Sequence, residues 1–349
     1  MIEGLDKEKF EIKFIFLNQK IPEIYNRLLK KGFSVEFIKY KGKADLFKVL
    51  FNLFSNFRKS KPDIVHAHLF DASLIAITAA WMAGVKKRVH TRHHASIHHE
   101  SHPHAIKYDK WINALSTDII AVSENVKQIL VGKENVPPSK IHVIHHGFNF
   151  NEMEVNPAEK MAAMQKYALE GHYPIIGVIS RFVEWKGVQY IIPAFKRVLI
   201  DYPEAKLVLA NAKGEFKPEI LDMLASIPSK NFVMIDFEEH IYALIQCFDQ
   251  FVHVPVNKNA EAFGQIYVEV MNAKVPLICT ISGIASFYVV DHQNALVTNY
   301  NDSEGIYNRI VELLGNKQLN TELVETAFRD VRAHFSINKM INELEGVYE

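Results

Sequence analysis

Little in this chain points to a membrane span, a secretory route or a polyelectrolyte partner. Only two cysteines occur in 349 residues, Cys247 and Cys279. Each lies in an apolar stretch without pairing or metal-ligand spacing, the usage of buried thiols in a reducing compartment. No apolar run approaches the roughly 20 residues that cross a bilayer, and Met1-Ile-Glu-Gly-Leu-Asp-Lys-Glu-Lys lacks the apolar centre of a signal peptide. The 40 basic residues are offset by 40 acidic ones, so no global field favours nucleic acid or acidic polymers. These absences lead to the expectation of a cytoplasmic protein with no nucleic-acid partner. Its length suffices for two domains, each with its own core.

Short β-rich apolar runs alternate with amphipathic stretches along the whole chain, a pattern that predicts α/β domains with parallel sheets and crossover helices. In the first half the expected strands are Ile12–Leu17, Val35–Ile38, Asp63–Ala67, Arg88–Thr91, Asp118–Val122 and His142–His145. A polar stretch follows Gly147. A second series then runs through Ile175–Ser180, Lys206–Ala210, Phe232–Ile235, Gln250–Val254, Pro276–Thr280 and Ala295–Val297, and three helical patterns begin at Ser303. The expected domains are 1–150 and 151–335, with 336–349 a C-terminal helix.

The most informative window is Glu261-Ala-Phe-Gly-Gln-Ile-Tyr-Val-Glu269. It reads as a loop that becomes a helix near Gly264, with Glu261 before the helix and Glu269 on its second turn. Eight helical steps would separate the carboxylates by roughly 12 Å, near the span of a nucleotide-sugar from sugar ring to ribose. Between them, the first-turn amides around Phe263, Gly264 and Gln265, with the positive end of the helix dipole, suit a diphosphate. Gly264 permits close backbone approach. A second window, Ile175 to Gly187, is an apolar strand ending in a loop with Arg181, Lys186 and Gly187. Arg181 offers a planar fork and Lys186 a compact charge, both effective against phosphate oxygens. Taken singly, each window also reads as ordinary solvated surface.

The ordered pair of motifs, Arg-x4-Lys-Gly and then Glu-x7-Glu, resembles the retaining glycosyltransferases of family 4. Pro62-Asp63-Ile64-Val65-His66-Ala67-His68, Ile119-Ile120-Ala121-Val122-Ser123-Glu124, Ile141-His142-Val143-Ile144-His145-His146-Gly147-Phe148 and Val275-Pro276-Leu277-Ile278 extend the resemblance over almost the whole chain. It implies the GT-B fold, two Rossmann-like domains with parallel sheets facing a central cleft. It also implies transfer of a sugar from a nucleotide-sugar, such as a UDP- or GDP-sugar, to a glycan or lipid-linked acceptor, with cell-envelope polysaccharide synthesis the expected setting. In this reading Arg181 and Lys186 stabilise the leaving diphosphate, Glu261 holds sugar hydroxyls, and Glu269 holds the ribose. Thr91-Arg92-His93 resembles the family's Thr-x-His, which assigns His93 to the donor sugar. Arg92, His94, His98 and Asp71 are acceptor-side candidates, although Asp71 also reads as a helix cap.

No Asp-x-Asp occurs, so no metal or other cofactor is expected at the diphosphate. The cluster His90, His93, His94, His98, His99, His102 and His104 suggests zinc, but no third ligand is assignable beyond Glu100. Leu46–Phe57, rich in Phe and Leu among basic residues, reads either as a buried stripe or as a peripheral contact with an anionic membrane. The chain departs from the family at Ala210-Asn211-Ala212-Lys213-Gly214, where Gly-x-Gly is usual, and at Ile284-Ala285 after Gly283, where Pro-Glu is common. Family members also open with a strand and Gly-rich loop, whereas Gly4-Leu5-Asp6-Lys7 resembles the end of the following helix. Without that first βα unit, Ile12–Leu17 and Asp63–Ala67 are expected about one strand width apart and unpaired. A nucleotide-sugar-binding protein without turnover therefore stands as a rival reading, and a GT-B sugar-nucleotide epimerase as a third. A dinucleotide-dependent oxidoreductase is disfavoured because no strand leads into Gly-x-Gly-x-x-Gly.

Overall fold

The computed structural model describes residues 4–349, and all twelve expected strands form, with ends shifted by at most two residues. The chain divides into two compact units. One takes residues up to His145 together with Met340–Glu349, and the other takes His146–Lys339.

In the second unit, β7 (Ile175–Ile179), β8 (Lys206–Ala210), β9 (Phe232–Ile235), β10 (Gln250–His253), β11 (Leu277–Cys279) and β12 (Leu296–Val297) form one parallel sheet in the order β12-β11-β10-β7-β8-β9. A parallel sheet is covered on both faces, which is why its strands are apolar runs and not alternating ones. Every residue of β8 is buried. Gly177 in β7 is required by packing, since a Cβ there would sit 2.1 Å from the Phe248 ring. Ile191, Phe195 and Val198 of the Val188–Asp201 helix and Ile306 and Ile310 of the Ser303–Gly315 helix complete this core. From β7 the chain builds outward through β8 and β9, then returns to add β10, β11 and β12 on the other side. The strand order thus reverses between β7 and β10, and in open α/β sheets ligands bind beyond the carboxyl ends of strands at such a reversal.

In the first unit, β3 (Ile64–His68), β4 (Lys87–Arg92), β5 (Asp118–Ala121) and β6 (Ile141–Val143) pair in parallel in sequence order. The strands β1 (Lys13–Asn18) and β2 (Ser34–Lys39) form a separate parallel pair, and no ladder joins β1 to β3 among the described residues. The hydrophobic core nevertheless runs continuously between the two sheets. Ile15 and Leu17 of β1 and Val65 of β3 meet Val49, Leu53 and Phe57 of the Leu46–Ser60 helix and Ile75 and Ala79 of the Phe70–Ala83 helix in one cluster. Burying side chains such as Leu53 and Phe57 contributes about 1.5–3 kcal/mol each, so the core holds together what the backbone ladder does not. The Ile337–Tyr348 helix brings Tyr348 to β3, where its hydroxyl lies 2.6 Å from His66 Nδ1.

Candidate active site

The sheet reversal in the second unit collects the two sequence windows. β7 ends at Ile179 and leads into the loop bearing Arg181, Lys186 and Gly187, and β10 ends at His253 and leads through a loop to Glu261. Gly187 adopts φ 75° and passes so close to the Val254 carbonyl that a Cβ would lie 1.9 Å from its oxygen. Only glycine fits there, and the fit locks the Lys186 loop against the segment after β10. Gly264, at φ 86°, caps the Gln265–Asn272 helix, which puts Glu261 ahead of the helix and Glu269 on its second turn, as expected. The helix starts at Gln265, so its first-turn amides and positive dipole end lie beside Glu261.

Lys186 and Glu261 do come together, and they hold each other. The Lys186 ammonium contacts Glu261 Oε1, and His253 Nε2 lies 3.1 Å from the same oxygen. Glu261 is 7% exposed. Burial alone would raise its carboxyl, but the Lys186 charge and the bond from His253 outweigh that and hold it at about 2. Glu261 is thus an ionised acceptor, so His253 Nε2 must carry the proton it donates, and burial lowers the imidazole's own pKa. The Glu261 amide donates to Ser282 Oγ at 3.0 Å. Gly283 at φ 57° lies against Glu261, with no room for a Cβ. Arg181 is exposed, and its guanidinium has no hydrogen-bond or ion-pair partner among the described residues, while its carbonyl accepts from the Ser180 hydroxyl and the Val183 amide. Glu269 is half-buried, its carboxylate without a hydrogen-bond or ion-pair partner among the described residues, and burial pushes it up to about 7. Gln265 is exposed. The Phe263 side chain belongs to the core, against His146 and Phe335, so only its backbone remains a candidate for ligand contact. His253 and Ser282 were not singled out in the sequence, and Gly283 entered only as the glycine where the family pattern departs. The signal available for His253 was a lone histidine ending an apolar strand.

The histidine-rich segment follows β4 in the first unit. His93 Nε2 lies 3.1 Å from His68 Nδ1, and burial lowers its pKa, with a smaller contribution from His94. Arg92, an acceptor-side candidate, is engaged within the first unit. It is 3% exposed and ion-paired with Asp109 at 2.7 Å and Glu134 at 2.6 Å. His98 is likewise engaged, with Nδ1 2.6 Å from Asp109 Oδ2, and His94 Nε2 lies 3.5 Å from Asp109 Oδ1. Burial would raise Asp109, but the bond from His94 and the Arg92 charge hold it at about 2. Glu100 bonds Ser96 at 2.6 Å, while Asp109 supplies the third potential ligand missing from the sequence reading. Asp71 is not a cap. Leu69 takes the N-cap position of the Phe70–Ala83 helix with no side-chain cap bond, and Asp71 bonds the Tyr40 phenol, whose pKa is raised by burial and then by that carboxylate.

Comparison with known proteins agrees with this architecture. Residues 1–152 match the family model Glycosyltransferase Family 4, and residues 159–330 match Glycosyl transferases group 1. The capsular polysaccharide biosynthesis glycosyltransferase CapM of Staphylococcus aureus is 24% identical over 309 residues, 86% of this chain and 80% of that protein. The UDP-Gal:alpha-D-GlcNAc-diphosphoundecaprenol alpha-1,3-galactosyltransferase of Escherichia coli is 21% identical over 314 residues, 86% of this chain and 79% of that one. Anabaena HepE, solved with UDP and glucose, matches with a TM-score of 0.84 at 17% identity, over 95% of this chain and 90% of HepE. No helix among the described residues is long and apolar enough to cross a membrane. With two family models spanning most of its length and the fold to match, the chain belongs to the group 1 glycosyltransferases of GT-B type.

Proposed function

We propose that this protein is a retaining glycosyltransferase that moves a sugar from a nucleotide-sugar, with UDP-sugars the first candidates, to a glycan or lipid-linked acceptor in cell-envelope polysaccharide synthesis. The observation that carries the proposal is the meeting of Lys186, Glu261 and His253 at the sheet reversal, beside the Gly264-capped helix. HepE was solved with UDP-glucose, and the names of CapM and the E. coli enzyme refer to a capsular polysaccharide and a diphosphoundecaprenol substrate. Those relatives support the donor class and the setting.

In this reading the donor diphosphate draws Lys186 from Glu261 and takes Arg181 as a second cation. The two stabilise charge growing on the leaving phosphate, a contribution of about 3 kcal/mol for each essential donor. Glu261, kept ionised by Lys186 and His253, accepts hydrogen bonds from sugar hydroxyls as Lys186 turns to phosphate. The backbone at Phe263 and Gly264 and the first-turn amides complete the cradle, and Glu269 accepts from the ribose. The acceptor hydroxyl attacks the face the diphosphate leaves, and the departing phosphate oxygen takes its proton, so no separate protein base is needed. His93 is a candidate hydrogen-bonding group of the first unit, and Arg92, through its ion pairs, a positioning residue for the segment that carries it.

Peripheral contact with an anionic membrane is part of the proposal. The Leu46–Ser60 helix buries Val49, Leu53 and Phe57 yet leaves Phe47 and Phe51 70% and 57% exposed beside Lys48. Calorimetry with a panel of nucleotide-sugars, followed by a product assay and NMR of the new linkage, tests the whole reading. The expected result is binding of a nucleotide-sugar and an anomeric configuration equal to the donor's. Tight binding without turnover would favour the non-catalytic reading, and an inverted product would reject the retaining step.

A further inference from the structure

We propose that His94, His98 and Asp109 bind a tetrahedrally coordinated divalent transition-metal ion, zinc being the species their chemistry fits, and that the ion clamps the segment after β4 to the Ile106–Leu115 helix. Each of the three offers one ligand atom, and these atoms all lie within 4.8 Å of one another. Zinc with ligands at about 2.0–2.1 Å sets neighbouring ligand atoms roughly 3.3 Å apart. His98 Nδ1 lies 2.6 Å from Asp109 Oδ2 and His94 Nε2 lies 3.5 Å from Asp109 Oδ1, so the two imidazoles approach the same carboxylate, and the ring centroids stand 4.1 Å apart. Two imidazoles and one carboxylate leave a fourth position for water.

Two further observations favour a cation here. Asp109 and Glu134 are both almost fully buried, with Arg92 the only permanently charged cation paired with them among the described residues. That leaves one negative charge to be met by a proton or by a metal. Finally, the surroundings have the form of a supporting shell. Arg92 braces both Asp109 oxygens, at 2.7 Å to Oδ1 and 3.1 Å to Oδ2, Glu134 holds Arg92, and Asn113 and His99 hold Glu134 at 2.7 and 3.1 Å, while the Phe70 ring packs edge-on against His98. Such outer partners orient ligands and tune affinity.

The test is titration of the metal-free protein with Co2+, read by visible absorption, with Zn2+ as competitor. Wild type is expected to take up one equivalent with the intense spectrum of tetrahedral cobalt, displaced by zinc. His98→Gln and His94→Gln should each weaken that binding by more than about a hundredfold, beyond the loss typical of a supporting partner, while His104→Gln at an exposed position should leave it unchanged. A wild-type spectrum of weak octahedral form would overturn the site, as would a tetrahedral signal retained in both ligand variants. If His98→Gln does not fold, His94→Gln, at a side chain 21% exposed, carries the decision alone. Because the readout is spectroscopic and the residues lie in the first unit, failure here is separable from failure of the donor-site reading.

Discussion

Replacing Glu269 with glutamine separates the cost of burying a carboxylate from its use. Burial raises Glu269 from its ordinary 4.5 to about 7, and at 1.36 kcal/mol per pH unit this corresponds to about 3 kcal/mol. The sign follows from proton binding. Between those two values the folded protein holds a proton on Glu269 that the unfolded chain has released, so stability falls as pH rises through the interval and then levels off. Glutamine cannot ionise and escapes the penalty. Urea unfolding of wild type and Glu269→Gln, compared at about pH 5 and about pH 8, should show a small difference at the lower pH and a gain of up to about 3 kcal/mol for the variant at the higher. The variant should at the same time bind donor nucleotide more weakly, because the ribose loses its charged acceptor. A constant stability difference across pH would refute the burial argument. Unchanged nucleotide affinity would refute the ribose assignment.

Lys186→Ala should abolish transfer and destabilise the second unit by about 3–5 kcal/mol, since it leaves Glu261 buried without its cation; adding Glu261→Gln should recover much of the stability and none of the activity, as read by denaturation and product assay. Arg181→Ala, at an exposed side chain, should leave stability within about 0.5 kcal/mol of wild type yet weaken nucleotide binding by calorimetry, and unchanged affinity would remove Arg181 from the site. Wild-type nucleotide affinity should rise from about pH 6 to about pH 8 as Glu269 ionises, by up to about tenfold, and this slope should vanish in Glu269→Gln. Paired Phe47→Ser and Phe51→Ser substitutions should reduce co-sedimentation with anionic vesicles without lowering stability; equal sedimentation would leave those rings without a membrane role.

The strands were legible because a parallel sheet covered on both faces demands uninterrupted apolar runs, and β7 to β10 supply them with polar loops between. The two site windows were legible because phosphate chemistry restricts which residues can follow such strands. What sequence spacing does not carry is partnership across distant segments. Lys186 and Glu261 were each expected to face a ligand, but 75 positions apart nothing announced that they would neutralise each other. His253 was hidden as one polar residue at the end of an apolar strand. Asp109 lies in an amphipathic helix, where an aspartate ordinarily faces solvent, and only the fold brings Arg92 and two histidines onto it. Asp71 read as a cap from its place after a strand, but the helix begins two residues earlier than that role requires, and Tyr40 takes the carboxylate.

The most direct test of the donor site is a crystal structure of the protein with an intact nucleotide-sugar or its nucleoside diphosphate. The account predicts diphosphate oxygens in hydrogen-bonding reach of Arg181 and Lys186, at the start of the Gln265–Asn272 helix, with the ribose hydroxyls on Glu269. A diphosphate bound away from both cations, or a Lys186–Glu261 pair left undisturbed beside a bound donor, would contradict it.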